Sequence, residues 1–175
     1  MRLLLVRHAI AAERAAWALR GRDERERPLT DTGKARFRRI AAGLRREVET
    51  LDRIVCSPLR RTRQTAELLS ALYAKAPVTA IEELAPGGAT APLAAALGAW
   101  LTQEGLLDRP TTVALVGHEP GLSLFGSWLL TGTERPLLEL RKGGACLLDL
   151  PGSPAPATAR LLWLLEPRQA RRIAR

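Results

Sequence analysis

The sequence predicts an α/β fold: a three-layer α/β/α sandwich around a mostly parallel central sheet. Short apolar runs of strand length alternate with longer stretches of helical periodicity, which is typical of a sheet covered by helices on both faces. The length of 175 residues fits one domain, so we expect residues 1–175 to fold as a single unit. The sequence contains no internal repeat and no linker that would mark a domain boundary.

The first part of the chain combines a buried strand, a long polar segment and a helix. Residues 3–6 form a continuous apolar run and predict a strand. Residues 9–28 are polar and charged, contain the turn formers Gly21 and Pro28, and predict a loop of a length that is usually functional. Residues 30–48 begin with capping chemistry and carry apolar side chains at helical spacing, which predicts a helix.

The remaining elements continue the alternation of strands and helices. We predict strands over residues 53–56, 78–81, 112–116, 146–150 and 159–165, and helices over residues 59–73, 91–104, 122–130 and 166–175. Ser57 and Pro58 are expected to open the helix over 59–73, because a proline in the first turn removes a donor that has no helical partner.

The charge of the chain favours an acidic partner. The formal net charge is +9, which suits a phosphorylated molecule, a nucleic acid or an acidic protein face. A generally arginine-rich composition is the alternative, since the arginines are spread along the chain and often lie beside Glu or Asp.

The cysteines and the hydropathy indicate a cytoplasmic protein. Cys56 and Cys146 lie in apolar runs, which suits buried thiols in a reducing compartment. The Cys and His residues do not have metal-ligand spacing, so a structural zinc is not expected. The apolar runs are too short for a signal-peptide core or a membrane span, so we expect neither.

Polar residues follow three of the predicted strands. Arg7 and His8 follow the first strand, Ser57 follows the second, and His118 follows the strand over 112–116. Reactive residues of parallel sheets lie just beyond the carboxyl ends of strands. Both histidines of the chain occupy such positions, and we therefore expect them to share a site.

Four segments resemble the motifs of the histidine phosphatase (phosphoglycerate mutase-like) superfamily. They are residues 6–9 (VRHA), 27–33 (RPLTDTG), 57–65 (SPLRRTRQT) and 116–118 (VGH). Their order and spacing agree over nearly the whole chain, which identifies residues 1–175 as a histidine phosphatase domain. Residues 27–30 (RPLT), 83–88 (ELAPGG) and 163–167 (WLLEP) further resemble the SixA phosphohistidine phosphatase branch.

The resemblance implies roles for several side chains. His8 would be the nucleophile, attacking phosphorus with a neutral nitrogen while a backbone carbonyl holds the other nitrogen. Arg7 and Arg61 would bind the phosphoryl oxygens as guanidinium forks, and His118 would donate to the same oxygens. A satisfied core histidine is the alternative for His8, and a solvent-facing histidine is the alternative for His118.

Other candidate residues depend more closely on the family pattern. A count of four residues from Ser57 selects Arg61, and Arg60 and Arg63 are then expected to face solvent. Ser57 would add the start of a helix to the phosphate site. Arg27 is a candidate phosphate ligand on the rim, with a solvated loop arginine as the alternative.

Glu83 is the candidate proton donor. It lies in the loop after the middle strand, where related phosphatases carry an acid. An imidazole leaving group needs less help than an alkoxide, so Glu83 could instead orient His118 or the attacking water. A loop carboxylate in water is the third interpretation.

The leading hypothesis is a SixA-like phosphatase that removes a phosphoryl group from a phosphohistidine protein, with a histidine-phosphotransfer domain as the implied partner. A phosphatase of small phosphate esters is the alternative within the same fold. A basic binding module without turnover is the alternative from another class, although aromatic residues are sparse at 4% and disfavour a nucleic-acid partner. We expect no metal, no organic cofactor and no membrane contact, and the sequence leaves the oligomeric state and the natural substrate open.

Overall fold

Six strands form one sheet, with helices on both faces, in the computed structural model, which describes residues 1–174. The strands are β1 (Arg2–Arg7), β2 (Arg53–Cys56), β3 (Val78–Ala80), β4 (Thr112–Gly117), β5 (Ala145–Asp149) and β6 (Arg160–Leu165). The helices are α1 (Arg14–Ala18), α2 (Asp31–Glu47), α3 (Arg60–Ser70), α4 (Thr90–Gln103), α5 (Gly121–Thr131) and α6 (Pro167–Ile173).

The strand order is β3-β2-β4-β1-β5-β6. The first four strands in this order are mutually parallel, and β5 and β6 add two antiparallel pairings at one edge. The predicted α/β sandwich with a mostly parallel sheet is therefore confirmed. The register aligns Arg7 of β1 with Gly117 of β4, and Cys56 of β2 with Val116 of β4, so the carboxyl ends of three adjacent strands meet.

The apolar side chains form one core on each face of the sheet. Alternate residues of a strand point to opposite faces, so Leu4 and Val6 of β1 join the core beneath α2, α3 and α6, whereas Leu3 and Leu5 join the core beneath α4 and α5. Both central strands are buried on two faces, which explains their continuous apolar runs.

The long segment over residues 9–28 contains more structure than the expected loop. The short helix α1 begins after Glu13, whose carboxylate accepts from the backbone N–H groups of Ala15 and Ala16. A 3₁₀ turn follows at Glu24–Glu26. The indole N–H of Trp17 donates to the carbonyl of Asp23 at 2.8 Å and joins the two parts. The two elements are only five and three residues long, so they leave no helical periodicity in the sequence.

The helix after β2 is shorter than expected. It begins at Arg60 with Leu59 as its N-cap, so Pro58 lies before the helix and not in its first turn. It ends at Ser70, after which Leu72 and Tyr73 bond to carbonyls three residues back, and the left-handed angles of Ala74 and Lys75 stop the chain from returning to a helix. Among the helices of residues 1–174, none combines the length and the apolar character of a membrane span.

Candidate active site

The two histidines are neighbours because β1 and β4 are neighbours. The backbone N–H of His8 donates to the carbonyl of Gly117 at 3.0 Å, and His118 is the next residue along the chain. The N–H of Ser57 donates to the carbonyl of Val116 at 3.0 Å, which brings the end of β2 to the same place. The expected convergence of Arg7, His8, Ser57 and His118 at the strand ends is present in the structure.

The ring of His8 is held in one orientation. Its Nδ1 lies 2.7 Å from the carbonyl oxygen of Ala9, to which Nδ1–H donates. This bond leaves Nε2 with its lone pair available. Burial lowers the pKa of His8 to about 3, and the nearby guanidiniums of Arg61 and Arg7 act in the same direction. His8 therefore presents a neutral nitrogen at neutral pH.

Helix α3 fixes the backbone that follows His8. The hydroxyl oxygen of Thr65 accepts from the N–H of Ala9 at 3.1 Å, and the same hydroxyl donates to the carbonyl of Arg61 at 2.7 Å. The residue that holds the nucleophile loop is therefore bonded to the turn of α3 that carries Arg61. Both bonds need a side-chain hydroxyl at position 65, which explains why a threonine four residues after Arg61 suits the site.

His118 faces His8 across a short distance. The two ring centroids lie 5.1 Å apart, with an angle of 59° between the ring planes. Burial lowers the pKa of His118 to about 2, with contributions from His8 and Arg61. The Nε2 atom lies 3.0 Å from the hydroxyl oxygen of Ser57. When the Ser57 hydroxyl donates to Nε2, Nδ1–H is the donor that His118 offers to a ligand.

Arg61 is almost fully buried, at 3% exposure, and of its three nitrogens only Nη1 has a partner within residues 1–174. Its Nη1 donates to the carbonyl of Glu24 at 3.1 Å and lies 3.3 Å from a carboxylate oxygen of the same residue. Its Nε is buried and makes no hydrogen bond within residues 1–174. Burial lowers the pKa of Arg61 to about 10, so the guanidinium remains charged at neutral pH.

Arg7 is held in the same way as Arg61, through Nη1 alone. Its Nη1 donates to the carbonyl of Leu140 at 2.7 Å, while its Nε is buried and has no hydrogen-bond partner in the part of the chain that the structure describes. An unpaired buried donor is costly. Within residues 1–174, Nη2 of each guanidinium also has no hydrogen-bond partner, and both side chains line one cleft, which suits the binding of an anion.

Arg27 lies at the same cleft but is occupied by other contacts. Its Nε and Nη2 form a two-pronged bond to the carboxylate of Glu24 at 2.9 and 2.8 Å, and its Nη1 donates to the carbonyl of Ala12 at 2.7 Å. Arg27 lowers the pKa of Glu24, so the carboxylate stays ionised. The candidate phosphate ligand Arg27 therefore already holds an anionic group of its own chain.

These side chains surround a cleft of about 650 Å³. The residues that line it come from the ends of β1 and β4, from α3, and from the segment over residues 9–28. They are Arg7, His8, Ile10, Ala11, Ala12, Glu13, Arg14, Glu24, Arg27, Thr30, Arg61, Pro86, His118, Glu119 and Lys142. Five of the seven residues selected from the sequence are among them.

The other two selected residues lie beside the cleft. Ser57 is fully buried and contacts His118, so it acts on the cleft through that ring and does not line it as a substrate ligand would. Glu83 lies half-buried in a 3₁₀ turn and lines a neighbouring pocket of about 250 Å³ that shares His118 and Glu119 with the cleft. The role of Glu83 as a proton donor stays a prediction.

Sequence reasoning missed two carboxylates at the site. Glu24 binds both Arg27 and Arg61, and its place in an apparently irregular segment gave no signal. Glu119 accepts from the N–H of Leu140 at 3.1 Å and from the N–H of Ser123 at 3.3 Å. Since the carbonyl of Leu140 holds Arg7, Glu119 orders the segment behind that guanidinium. Its position directly after His118 was the available signal.

The candidate site has no arrangement of metal ligands. Within residues 1–174, no three His, Cys, Asp or Glu side chains come together as a metal-binding group. The positive charge at the cleft comes from guanidiniums, which bind phosphoryl oxygens in pairs.

Comparison with known proteins agrees with the fold. The sequence profile of the histidine phosphatase superfamily (branch 1) matches residues 3–86. An uncharacterized protein of Picosynechococcus sp. is 35% identical over 144 residues, which are 82% of this chain and 82% of that protein.

Solved structures give a similar result. The protein histidine phosphatase SixA complexed with tungstate superposes with a TM-score of 0.78 at 25% identity, covering 96% of this chain and 98% of that one. A structure described as SixA from Nakamurella multipartitia has a TM-score of 0.73 at 28% identity, with 95% of each chain covered. The alpha-ribazole phosphatase of Shigella flexneri, with a TM-score of 0.68 at 18% identity over 95% of this chain and 97% of that one, shares the fold.

The fold and the cleft define an α/β phosphatase with histidine and arginine at the ends of parallel strands. The chain belongs to the histidine phosphatase superfamily, and it is SixA-like within that superfamily.

Proposed function

We propose that this enzyme hydrolyses phosphohistidine on a protein, by way of a phosphoryl group carried on His8. The observation that carries the proposal is the presence of a neutral, oriented His8 and two guanidiniums, Arg7 and Arg61, in one cleft. A phosphoryl group bound in the cleft would face the nucleophile and pair with both guanidiniums.

The reaction has two steps. In the first, the lone pair on Nε2 of His8 attacks phosphorus, the bond from phosphorus to the substrate imidazole breaks, and the departing nitrogen takes a proton from solvent, which the water of the second step gives back. In the second, water attacks the phosphoryl group on His8 and loses a proton, which releases inorganic phosphate and restores neutral His8. Neither step changes an oxidation state.

The guanidiniums and His118 stabilise the transferring group. Charge spreads over the phosphoryl oxygens in the transition state, and preorganised donors that face these oxygens lower the barrier. Arg7 and Arg61 supply paired donors, and His118 supplies one more. Ser57 is a positioning residue in this scheme, because its hydroxyl holds the His118 ring.

The carboxylates of the cleft favour a substrate whose leaving group departs easily. Glu13 caps α1, Glu24 is bound by Arg27, and Glu119 accepts two backbone bonds. The hydrogen bonds to Glu13 and Glu24 lower the pKa of each, so neither is a protonated acid at neutral pH. An alkoxide needs a strong proton donor, whereas an imidazole departs with little help. The lining of the cleft therefore suits phosphohistidine better than a phosphate ester, and Glu83 in the neighbouring pocket is the remaining candidate donor for an ester.

Similarity to a solved structure supports a protein substrate. SixA, the protein histidine phosphatase, superposes on nearly the whole chain. A histidine-phosphotransfer domain is the partner we propose. The buried thiols of Cys56 and Cys146 fit the cytoplasm, where we propose that the enzyme acts.

A small phosphate ester is the second candidate substrate. Residues of the segment over 9–28, among them Ala12, Glu13 and Glu24, form one wall of the cleft and could enclose a small molecule. The shared fold of the alpha-ribazole phosphatase is compatible with this alternative.

The test is a side-by-side measurement of kcat/KM. The substrates are a phosphorylated histidine-phosphotransfer domain, free phosphohistidine and a panel of small esters that includes para-nitrophenyl phosphate. We expect the phosphoprotein to be preferred, and we expect His8→Ala to lose turnover of every substrate. A strong preference for one ester would replace the phosphohistidine assignment, and turnover that persists in His8→Ala would contradict the mechanism.

A further inference from the structure

Helices α2 and α6 place five arginines on one surface. Gly43 of α2 lies so close to α6 that a Cβ there would overlap the carbonyl oxygen of Ala170. This close packing brings the outer sides of the two helices together. The resulting depression, about 490 Å³, is lined by Arg36, Arg39, Arg168, Arg171 and Arg172, which we call the arginine face.

The arginine face has no neutralising partner within residues 1–174. None of its five guanidiniums lies within salt-bridge distance of a carboxylate there, whereas Arg53 and Arg109 elsewhere on the surface are both paired. Arg36 and Arg39 are three residues apart on α2, and like charges at this spacing repel. The surface therefore carries concentrated positive charge that the described part of the chain leaves uncompensated.

The arginine face is continuous with the phosphatase cleft. A second depression of about 490 Å³ lies between them and shares Arg36, Arg168 and Arg171 with the arginine face. The same depression shares Arg7, Ile10 and Lys142 with the cleft. The second depression and the arginine face therefore form one continuous surface that begins beside the phosphoryl site, and we call this surface the strip.

The connecting depression has an apolar floor. Ile10 and Pro167, which are half-buried, provide its apolar surface, with the buried side chains of Phe37 and Ile40 beneath them. An apolar centre with charges around it is the usual anatomy of a protein interface. Single-stranded nucleic acid is bound instead by exposed aromatic side chains on a basic surface. The lining of this strip includes no exposed aromatic side chain, so the strip suits a protein better than a nucleic acid.

The geometry points to the arginine face and the adjoining depression as the docking surface for an acidic protein that presents its phosphohistidine to His8. The proposal rests on the proposed function, since it names where the phosphoprotein binds. Opposite charge on the partner would accelerate encounter and set its orientation, while the apolar floor would receive its apolar side chains. A small phosphate compound occupies only the cleft and gains nothing from this surface.

The test compares two triple variants of the full-length chain with equal charge. The docking variant carries Arg36→Glu, Arg168→Glu and Arg171→Glu. The control variant carries Arg2→Glu, Arg38→Glu and Arg63→Glu, which reverse exposed arginines outside the strip and lower the net charge of +9 to the same value. Arg38 lies about 200° around α2 from Arg36 and serves as the same-helix comparison.

The probes are a phosphorylated histidine-phosphotransfer domain with an acidic surface, para-nitrophenyl phosphate and free phosphohistidine. We expect the docking variant to lose about tenfold or more in kcat/KM on the phosphoprotein, mainly through KM, and to stay within about twofold on both small substrates. Retained turnover of the small substrates also shows that the variant is folded. We expect the control variant to lose much less on the phosphoprotein.

Two results would overturn the docking surface. One is an equal loss in both triple variants, which would assign the effect to overall charge. The other is an unchanged kcat/KM on the phosphoprotein in the docking variant; binding of a DNA duplex, measured on the same variants and lost only in the docking variant, would then assign the strip to nucleic acid. Failure of the proposed function is a separate outcome, because the wild-type enzyme would then fail to act on the phosphoprotein at all.

Discussion

The imidazole rings of His8 and His118 lie 5.1 Å apart, and both are buried among guanidiniums. Burial and the positive charge around them keep both rings neutral at neutral pH. A neutral His8 is a nucleophile without prior deprotonation. The positive charge that a phosphoryl group needs is therefore carried by Arg7 and Arg61, and the nitrogen that attacks does not have to lose a proton first.

The buried histidines should make stability depend on pH. The pKa of each is lower in the folded chain, about 3 for His8 and about 2 for His118, than the ordinary value of 6.5. Below pH 6.5 the unfolded chain therefore binds more protons, and stability falls as pH falls towards the folded values, by at most about 1.4 kcal/mol per pH unit for each histidine. We expect urea unfolding free energies to decrease from about pH 7 to about pH 5, and to decrease less in His118→Gln. If the unfolding free energy depended on pH equally in the wild type and in His118→Gln, the neutral, buried state of the His118 ring would be contradicted.

Arg61 should not be replaceable by lysine. Lysine keeps the charge but loses the Nε donor and the fork that also binds Glu24. We expect Arg61→Lys to lower kcat/KM by about a hundredfold or more, as when one transition-state donor is removed. The matched control is Arg60→Lys, because Arg60 is exposed and lies 3.9 Å from its nearest carboxylate, that of Glu26. Equal losses of kcat/KM in Arg61→Lys and Arg60→Lys would show that Arg61 does not bind the phosphoryl group.

The carboxylate of Glu24 should compete with phosphate for the arginines. It binds Arg27 at 2.8 Å and lies 3.3 Å from Arg61, so its negative charge opposes an incoming dianion. We expect Glu24→Gln to strengthen inhibition by inorganic phosphate, by about tenfold or less. Glu26→Gln is the control, since Glu26 is exposed and lies beside Arg60. Weaker phosphate inhibition in Glu24→Gln would show that Glu24 orients Arg27 for the ligand and does not compete with it.

The sequence predicted the sheet and the strand-end residues because both follow from local patterns. Buried parallel strands are continuous apolar runs, and the residue after such a strand lies at the edge where ligands bind. His8 and His118 were selected by this rule, and the family pattern singled out Arg61 from three neighbouring arginines.

Contacts between distant segments could not be predicted in the same way. The bond from Glu24 to Arg61 joins residues 37 positions apart and depends on how the segment over 9–28 folds back. The contact of Ser57 with His118 and the arginine face likewise depend on packing, and no spacing along one segment encodes them.

The most direct measurement is the site of phosphorylation during turnover. The wild-type enzyme is mixed with excess phosphoprotein, the reaction is quenched in base to preserve phosphohistidine, and the phosphorylated peptide is identified by mass spectrometry. The mechanism predicts a base-stable, acid-labile phosphoryl group on His8, absent in His8→Ala and accumulating at a rate that accounts for turnover. A phosphoryl group on another residue, or full turnover in His8→Ala, would contradict it.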